Sequence, residues 1–90
     1  MTKENSVKRA DGIPFQKIDG NILIVNPKNR EVHLLNDTAT FIWESIEKQR
    51  VINDLAVDLC ESYELTQEQA VDELKDFFNN MKNKGLVELG

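Results

Sequence analysis

Residues 19–39 read DGNILIVNPKNREVHLLNDTA, and the spacing of apolar positions changes within that stretch. Asp19-Gly20-Asn21 are residue types that tolerate positive φ and suit the tight turn of a hairpin. Ile22-Leu23-Ile24-Val25 is a continuous aliphatic run, too short for a helix. It predicts a strand that is central in its sheet or covered on both faces. Asn26-Pro27-Lys28-Asn29 ends that strand, because proline lacks the ladder donor and asparagine readily enters turns. Glu31 to Leu35 predicts another strand. At Asn36-Asp37-Thr38 the period lengthens from two to about 3.6, with three residues that can each cap a helix.

On the N-terminal side, Ile13 to Ile18 alternates loosely and supplies the first strand of an antiparallel meander of three. Met1 to Asp11 shows few apolar residues and no period, which predicts a flexible tail over residues 1–11 and one domain over 12–90. On the C-terminal side, Ala39, Ile42, Trp43 and Ile46 share one helical face, predicting a first helix to about Gln49. Leu55, Ala56, Leu59, Cys60 and Tyr63 repeat the spacing in a second helix, whose nearest capping candidate is Asn53. The third helix is better marked. Thr66-Gln67-Glu68-Gln69 is a capping box, Ala70, Leu74, Phe77, Phe78 and Met81 form an apolar stripe, and Lys82, Lys84 and Gly85 suit a helix C-terminus. Leu86 to Leu89 predicts a short extended segment packing beside the helices. The expected fold is therefore α+β, a three-stranded meander followed by three helices of the winged helix-turn-helix kind.

Composition bounds the function. Ninety residues with 40% apolar and 30% charged side chains make one ordinary globular domain. No run approaches the ~20 apolar residues of a membrane span, and Met1 to Asp11 lacks the apolar core of a secretory signal. The expected location is the cytoplasm, with no membrane partner. A single cysteine, Cys60, fits a reducing compartment, and one Cys with one His supplies too few ligands for a zinc site. No phosphate loop, metal-spaced ligand set or nucleophile constellation is present, so no catalytic residue, metal or cofactor is expected.

Charge divides the chain. Residues 1–36 carry six basic and four acidic side chains, whereas residues 37–90 carry five basic and twelve acidic ones. A winged-helix nucleic-acid binder shares the expected architecture and is the alternative reading. The third helix, Thr66 to Lys84, sets Lys75, Lys82 and Lys84 against Glu68, Asp72, Glu73 and Asp76. That balance suits a phosphate backbone poorly.

Leu35-Asn36-Asp37-Thr38-Ala39 running into Ile42-Trp43, and the closing Lys84-Gly85-Leu86-Val87, together with the β-β-β-α-α-α order, resemble the PqqD-like family, also called the RiPP recognition element. RiPPs are ribosomally made, post-translationally modified peptides. The resemblance spans roughly residues 12–88 and departs in the weakly capped second helix. It implies a free-standing peptide chaperone. The leader region of a precursor peptide adds as a strand beside the third strand and lies against the third helix. The chaperone then presents it to a modifying enzyme such as a radical enzyme, a cyclase or a leader peptidase. Carried onto this chain, the implied peptide site is Glu31, Val32, His33, Leu34 and Leu35 on the strand. On the helix it is Leu74, Lys75, Phe77, Phe78, Met81 and Lys82.

The residues support an open edge independently. Natural edge strands are usually blunted by charge or proline, and Val32 to Leu35 has neither. Such an edge invites strand addition unless the tail or Leu86 to Leu89 covers it, and the residues alone leave both open. His33, the sole histidine, lacks a partner base or nucleophile in the sequence and reads as a strand residue. Cys60 on an apolar stripe reads as a small buried hydrophobe, and Trp43 as core. Phe41 lies off its helix's stripe and marks a satellite cluster or a partner surface. Phe77 and Phe78 point about 100° apart, so one leans away from the core toward the third strand.

Overall fold

The computed structural model describes residues 5–90. The elements run β1 (Ser6–Arg9), β2 (Phe15–Ile18), β3 (Asn21–Val25), β4 (Val32–Leu34), α1 (Asp37–Ser45), β5 (Arg50–Val51), α2 (Ile52–Tyr63), α3 (Gln67–Asn83) and β6 (Val87–Leu89). The expected meander is the antiparallel sheet β2-β3-β4. Asp19 and Gly20 both take positive φ, 50° and 89°, as the two central residues of a type I′ hairpin turn must. In β3, Ile22 and Ile24 are buried beneath α1 and the helical core, while Leu23 and Val25 are half-buried on the opposite face. The strand is central, and one face alone is fully covered.

A second antiparallel sheet, β5-β1-β6, was not expected from the sequence, and its central strand lies where a tail was predicted. Val7 is buried and pairs with Arg50 on one side and Leu89 on the other. Residues 1–4 of that predicted tail lie outside the described residues. Ser6–Arg9 hides from a periodicity reading because Val7 is its single apolar residue; the segment becomes a strand through two neighbours that are distant in sequence. Leu86 to Leu89, expected beside the helices, contributes β6 to this sheet.

The same strand explains the weak start of α2. The N-cap residue, Val51, makes no side-chain cap, and Asn53 does not serve as one. The Ile52 N–H instead donates to the Asn5 carbonyl at 2.8 Å, so a neighbouring backbone replaces the capping side chain. Helix α1 stops at Ser45, short of Gln49. Its last turn tightens as Ile46 and Glu47 N–H donate to the Trp43 and Glu44 carbonyls, and the chain then extends into β5.

The remaining caps follow the sequence. The Asn36 side chain accepts from Ala39 N–H, and Thr66 and Gln69 form a reciprocal capping box. Gly85, at φ 75°, closes α3 with two bonds, Gly85 N–H to the Lys82 carbonyl and Leu86 N–H to the Met81 carbonyl, the Schellman arrangement.

Arg9 joins the sheets to α1. Its guanidinium donates to the Trp43 carbonyl at 3.2 and 2.8 Å and lies over the Phe15 and Trp43 rings. Burial pushes the Arg9 pKa below its usual value, opposed by the nearby Glu47 and Glu44 carboxylates. Trp43 is fully buried, and its Nε1 has no partner among the described residues. An unpaired buried donor costs about 1–3 kcal/mol. The edge-on Phe15 ring at 5.5 Å, the Arg9 cation and the buried indole area offset it.

The central position of β1 has a measurable consequence. Val7→Ala should lower unfolding stability by about 2 kcal/mol in urea titration, as a buried aliphatic truncation does. Lys8→Ala, which removes an exposed ion pair with Glu88, should change it by no more than about 0.5 kcal/mol. A tail would leave both variants at the parent value.

Candidate functional site

Among the described residues strand β4 pairs with β3 alone, in the register Val25↔Val32, Ile24↔His33 and Leu23↔Leu34. Asn26 N–H donates to the Glu31 carbonyl and Leu35 N–H to the Ile22 carbonyl, each at 2.8 Å. Antiparallel partners alternate in which side they bond, so Glu31, His33 and Leu35 face β3. Val32 and Leu34 direct their N–H and C=O groups away from it. Their side chains stand on the outer sheet face, 59% and 67% exposed. The other edge of this sheet, β2, follows Pro14 and carries Lys17, held by Glu44 at 3.0 Å. Proline and lysine are the usual guards of an edge, and β4 has neither.

Helix α3 forms the wall opposite β4. Phe77, Asn80, Met81 and Lys84 face Val32, His33, Leu34 and Leu35 across a depression of about 450 Å³. Phe77 also borders a smaller one of about 110 Å³, shared with Glu73 and with Asn36, Thr38, Ala39 and Ile42 of the α1 start. Phe77 lines both. Glu73, Phe77, Asn80, Met81 and Lys84 follow helical spacing and share a face, so the two depressions lie along one stripe.

The separation between wall and strand is held at one end by Asn26. This residue is buried, and its Nδ2 donates to the Lys84 carbonyl at 3.0 Å while its Oδ1 accepts from Lys28 N–H at 2.9 Å. The β3–β4 loop is thereby tied to the last carbonyl of α3. At the other end, Thr40 Oγ1 accepts from Ile22 N–H and donates to the Leu35 carbonyl, anchoring α1 to the sheet.

Of the residues singled out from the sequence, Val32, His33, Leu34, Leu35, Phe77 and Met81 come together in the groove. Glu31 precedes β4, with its carboxylate accepting from Asn29 Nδ2. Leu74 and Phe78 are buried in the core instead. Lys75 borders a separate hollow with Asn5, Ile52, Phe78, Asn79 and Leu89, and Lys82 is exposed and lines neither side of the groove. Asn80, Lys84 and Glu73 were missed. Glu73 and Asn80 lie four and three residues from Phe77 and Lys84 seven, so helical spacing places all three on its face, but they are polar and carry no apolar periodicity.

His33 Nε2 is buried without a partner among the described residues. Cys60 is half-buried with Sγ 3.9 Å from Gln67 Oε1. Among the described residues no group of three His, Cys, Asp or Glu is placed to hold a metal ion. No helix there is long and apolar enough to cross a membrane.

Residues 21–87 match the model of the family described as coenzyme PQQ synthesis protein D (PqqD). The chain belongs to the PqqD family. A solved structure described as TbiB1 in complex with the TbiA(beta) leader peptide is similar, with a TM-score of 0.81. It is 23% identical over 90% of this chain and 94% of that one, a likeness of fold. No curated protein matches the sequence. The PqqD match begins at the first residue of β3, so the open β4 edge and the whole of α3 fall inside it, while β1 and β2 precede it.

The two adjacent phenylalanines divide groove from core. Phe78→Ala should lose about 3–5 kcal/mol of stability in urea titration, as a fully buried aromatic does. Phe77→Ala, half-buried at the groove, should lose less than half as much. Equal losses would place both rings in the core and remove Phe77 from the groove wall.

Proposed function

We propose that this PqqD-family protein is a peptide chaperone of RiPP biosynthesis. It binds the leader region of a ribosomally made precursor as a strand added to β4, and presents the attached peptide to a separate modifying enzyme or leader peptidase. The observation that carries the reading is the β4 edge. Two residues, Val32 and Leu34, offer main-chain donors and acceptors beside a groove walled by α3. Strand addition draws affinity from such main-chain bonds and selectivity from the pockets that receive alternate side chains. Membership of the PqqD family and the leader peptide in the similar TbiB1 structure support the same reading.

The protein acts by capture, not catalysis. A precursor anchored at β4 meets its enzyme at a raised effective concentration, which improves turnover without any new bond-making group. Incubated alone with its precursor, the protein should leave the peptide mass unchanged.

Proline scanning tests the strand. Val32→Pro deletes an outward N–H and should weaken binding of the leader peptide by about five- to tenfold, since one main-chain bond contributes on the order of 1 kcal/mol. Its melting temperature should stay near the parent's. His33→Pro deletes a donor to β3 and should lower stability first. Calorimetric titration with parallel thermal melts measures both. Parent-like peptide binding by a folded Val32→Pro variant would show that the peptide does not pair with β4.

A further inference from the structure

We propose that the groove reads charge along its length, selecting an extended segment with an acidic side chain at its Lys84 end, an apolar one at Phe77 and Met81, and a basic one at its Glu73 end. This rests on the strand-addition reading above and specifies the peptide it accepts.

The two charges lie at opposite ends of the stripe. Lys84 borders the larger depression and Glu73 the smaller, with Phe77 common to both. Neither is in an ion pair among the described residues, where the pairs are Lys8–Glu88, Lys17–Glu44 and Arg50–Asp58. The surroundings leave the polarity in place. Near Lys84, the Lys28 ammonium lies 3.4 Å from where a Cβ on Gly85 would sit; Asp11 and Glu88 line the same hollow as Lys28, Glu88 is paired with Lys8, and Arg30 in the same loop balances Glu31. Asp72 and Asp76 flank Glu73 along α3, and Asp37, between the Asn36 and Thr38 that line the smaller depression, accepts from Asn21 Nδ2 in the first turn of α1. The α1 N-terminus adds about half a positive charge, which the Asp37 carboxylate exceeds. The Lys84 end therefore carries the more positive and the Glu73 end the more negative set of side chains.

Length fits the same pattern. Glu73 and Lys84, at the α3 C-cap, are eleven positions apart, about 16 Å at the helical rise. On an added strand the inward side chains recur every second residue, about 6.6 Å apart. Three of them, at positions i, i+2 and i+4, span about 13 Å, and the long acidic and basic side chains reach the remainder. The expected signature is charged, apolar, charged at alternate positions, with opposite signs at the two ends.

The test uses the full chain and five blocked seven-residue peptides of threonine and valine with a central leucine. Two positions either side of the leucine are varied as Asp/Lys, Lys/Asp, Asp/Asp, Lys/Lys or Ser/Ser, and affinity is read from amide shifts of Val32 and Leu34. One mixed order should bind about three- to fivefold more tightly than the serine reference and the same-sign peptides at low salt, and the gap should close at high salt. In the double variant Glu73→Lys with Lys84→Glu, the preference should pass to the other mixed order. Both positions are exposed, and the single variants Glu73→Gln and Lys84→Gln should each reduce the discrimination. If all five peptides bind β4 alike, or the preference survives the swap, charge reading by these residues is overturned while the strand-addition function stands. If none shifts the β4 amides, both fall.

Discussion

Asn26 sits where the β3–β4 loop meets the end of α3, and its main-chain N–H and C=O and both side-chain polar atoms are engaged. Its main chain closes the loop against Glu31 and Arg30, and its side chain bonds Lys28 N–H and the Lys84 carbonyl. A buried amide with its groups satisfied is rigid, because any shift strands a polar atom away from water. The spacing of β4 from α3 depends on that rigidity. The Schellman closure at Gly85 presents the Lys84 carbonyl to the amide, so the helix cap and the hairpin loop are parts of one device.

The second sheet does comparable work at the opposite side of the core. β1 runs between β5 and β6 and so joins the start of α2 to the end of the chain after α3. Asn5 supplies the acceptor that α2 lacks, and Arg9 carries the connection on to α1 through the Trp43 carbonyl. The three helices are thus fixed to one another partly through a four-residue strand. That leaves the outward main chain of β4 without a partner among the described residues, and such an edge can remain open for a partner.

Openness has a cost that the structure contains. An unguarded edge invites unwanted pairing, but β4 is three residues long and offers two outward-facing residues. α3 stands over it with a polar and charged rim at Asn80 and Lys84. A strand must enter a groove to pair, which restricts partners to extended segments whose inward side chains suit Phe77 and Met81. Under the proposed strand addition, affinity and discrimination would come from different atoms: the β4 main chain for the first, the α3 side chains for the second.

Much of this was legible in the residues. The change of period at Asn36, the Asp19-Gly20 turn, the Thr66 capping box and the Gly85 terminus are local, each determined by dihedral preference or by a bond within a few residues, so the meander, the helix order and the PqqD resemblance followed. β1 was not legible, because a strand with one apolar residue is made by its neighbours and not by its own pattern. The end of α1 and the start of α2 likewise depend on β5 and Asn5. The open β4 edge could be suspected from Val32 to Leu35, but its emptiness depends on where Leu86 to Leu89 pairs. In α3 the sequence determined a stripe, and tertiary structure decided which side of it meets the sheet: Leu74 and Phe78 turn into the core, while Phe77, Asn80 and Lys84 face the groove. Helical spacing sets the angles between side chains, but the rotation of a helix about its axis is set by what it packs against.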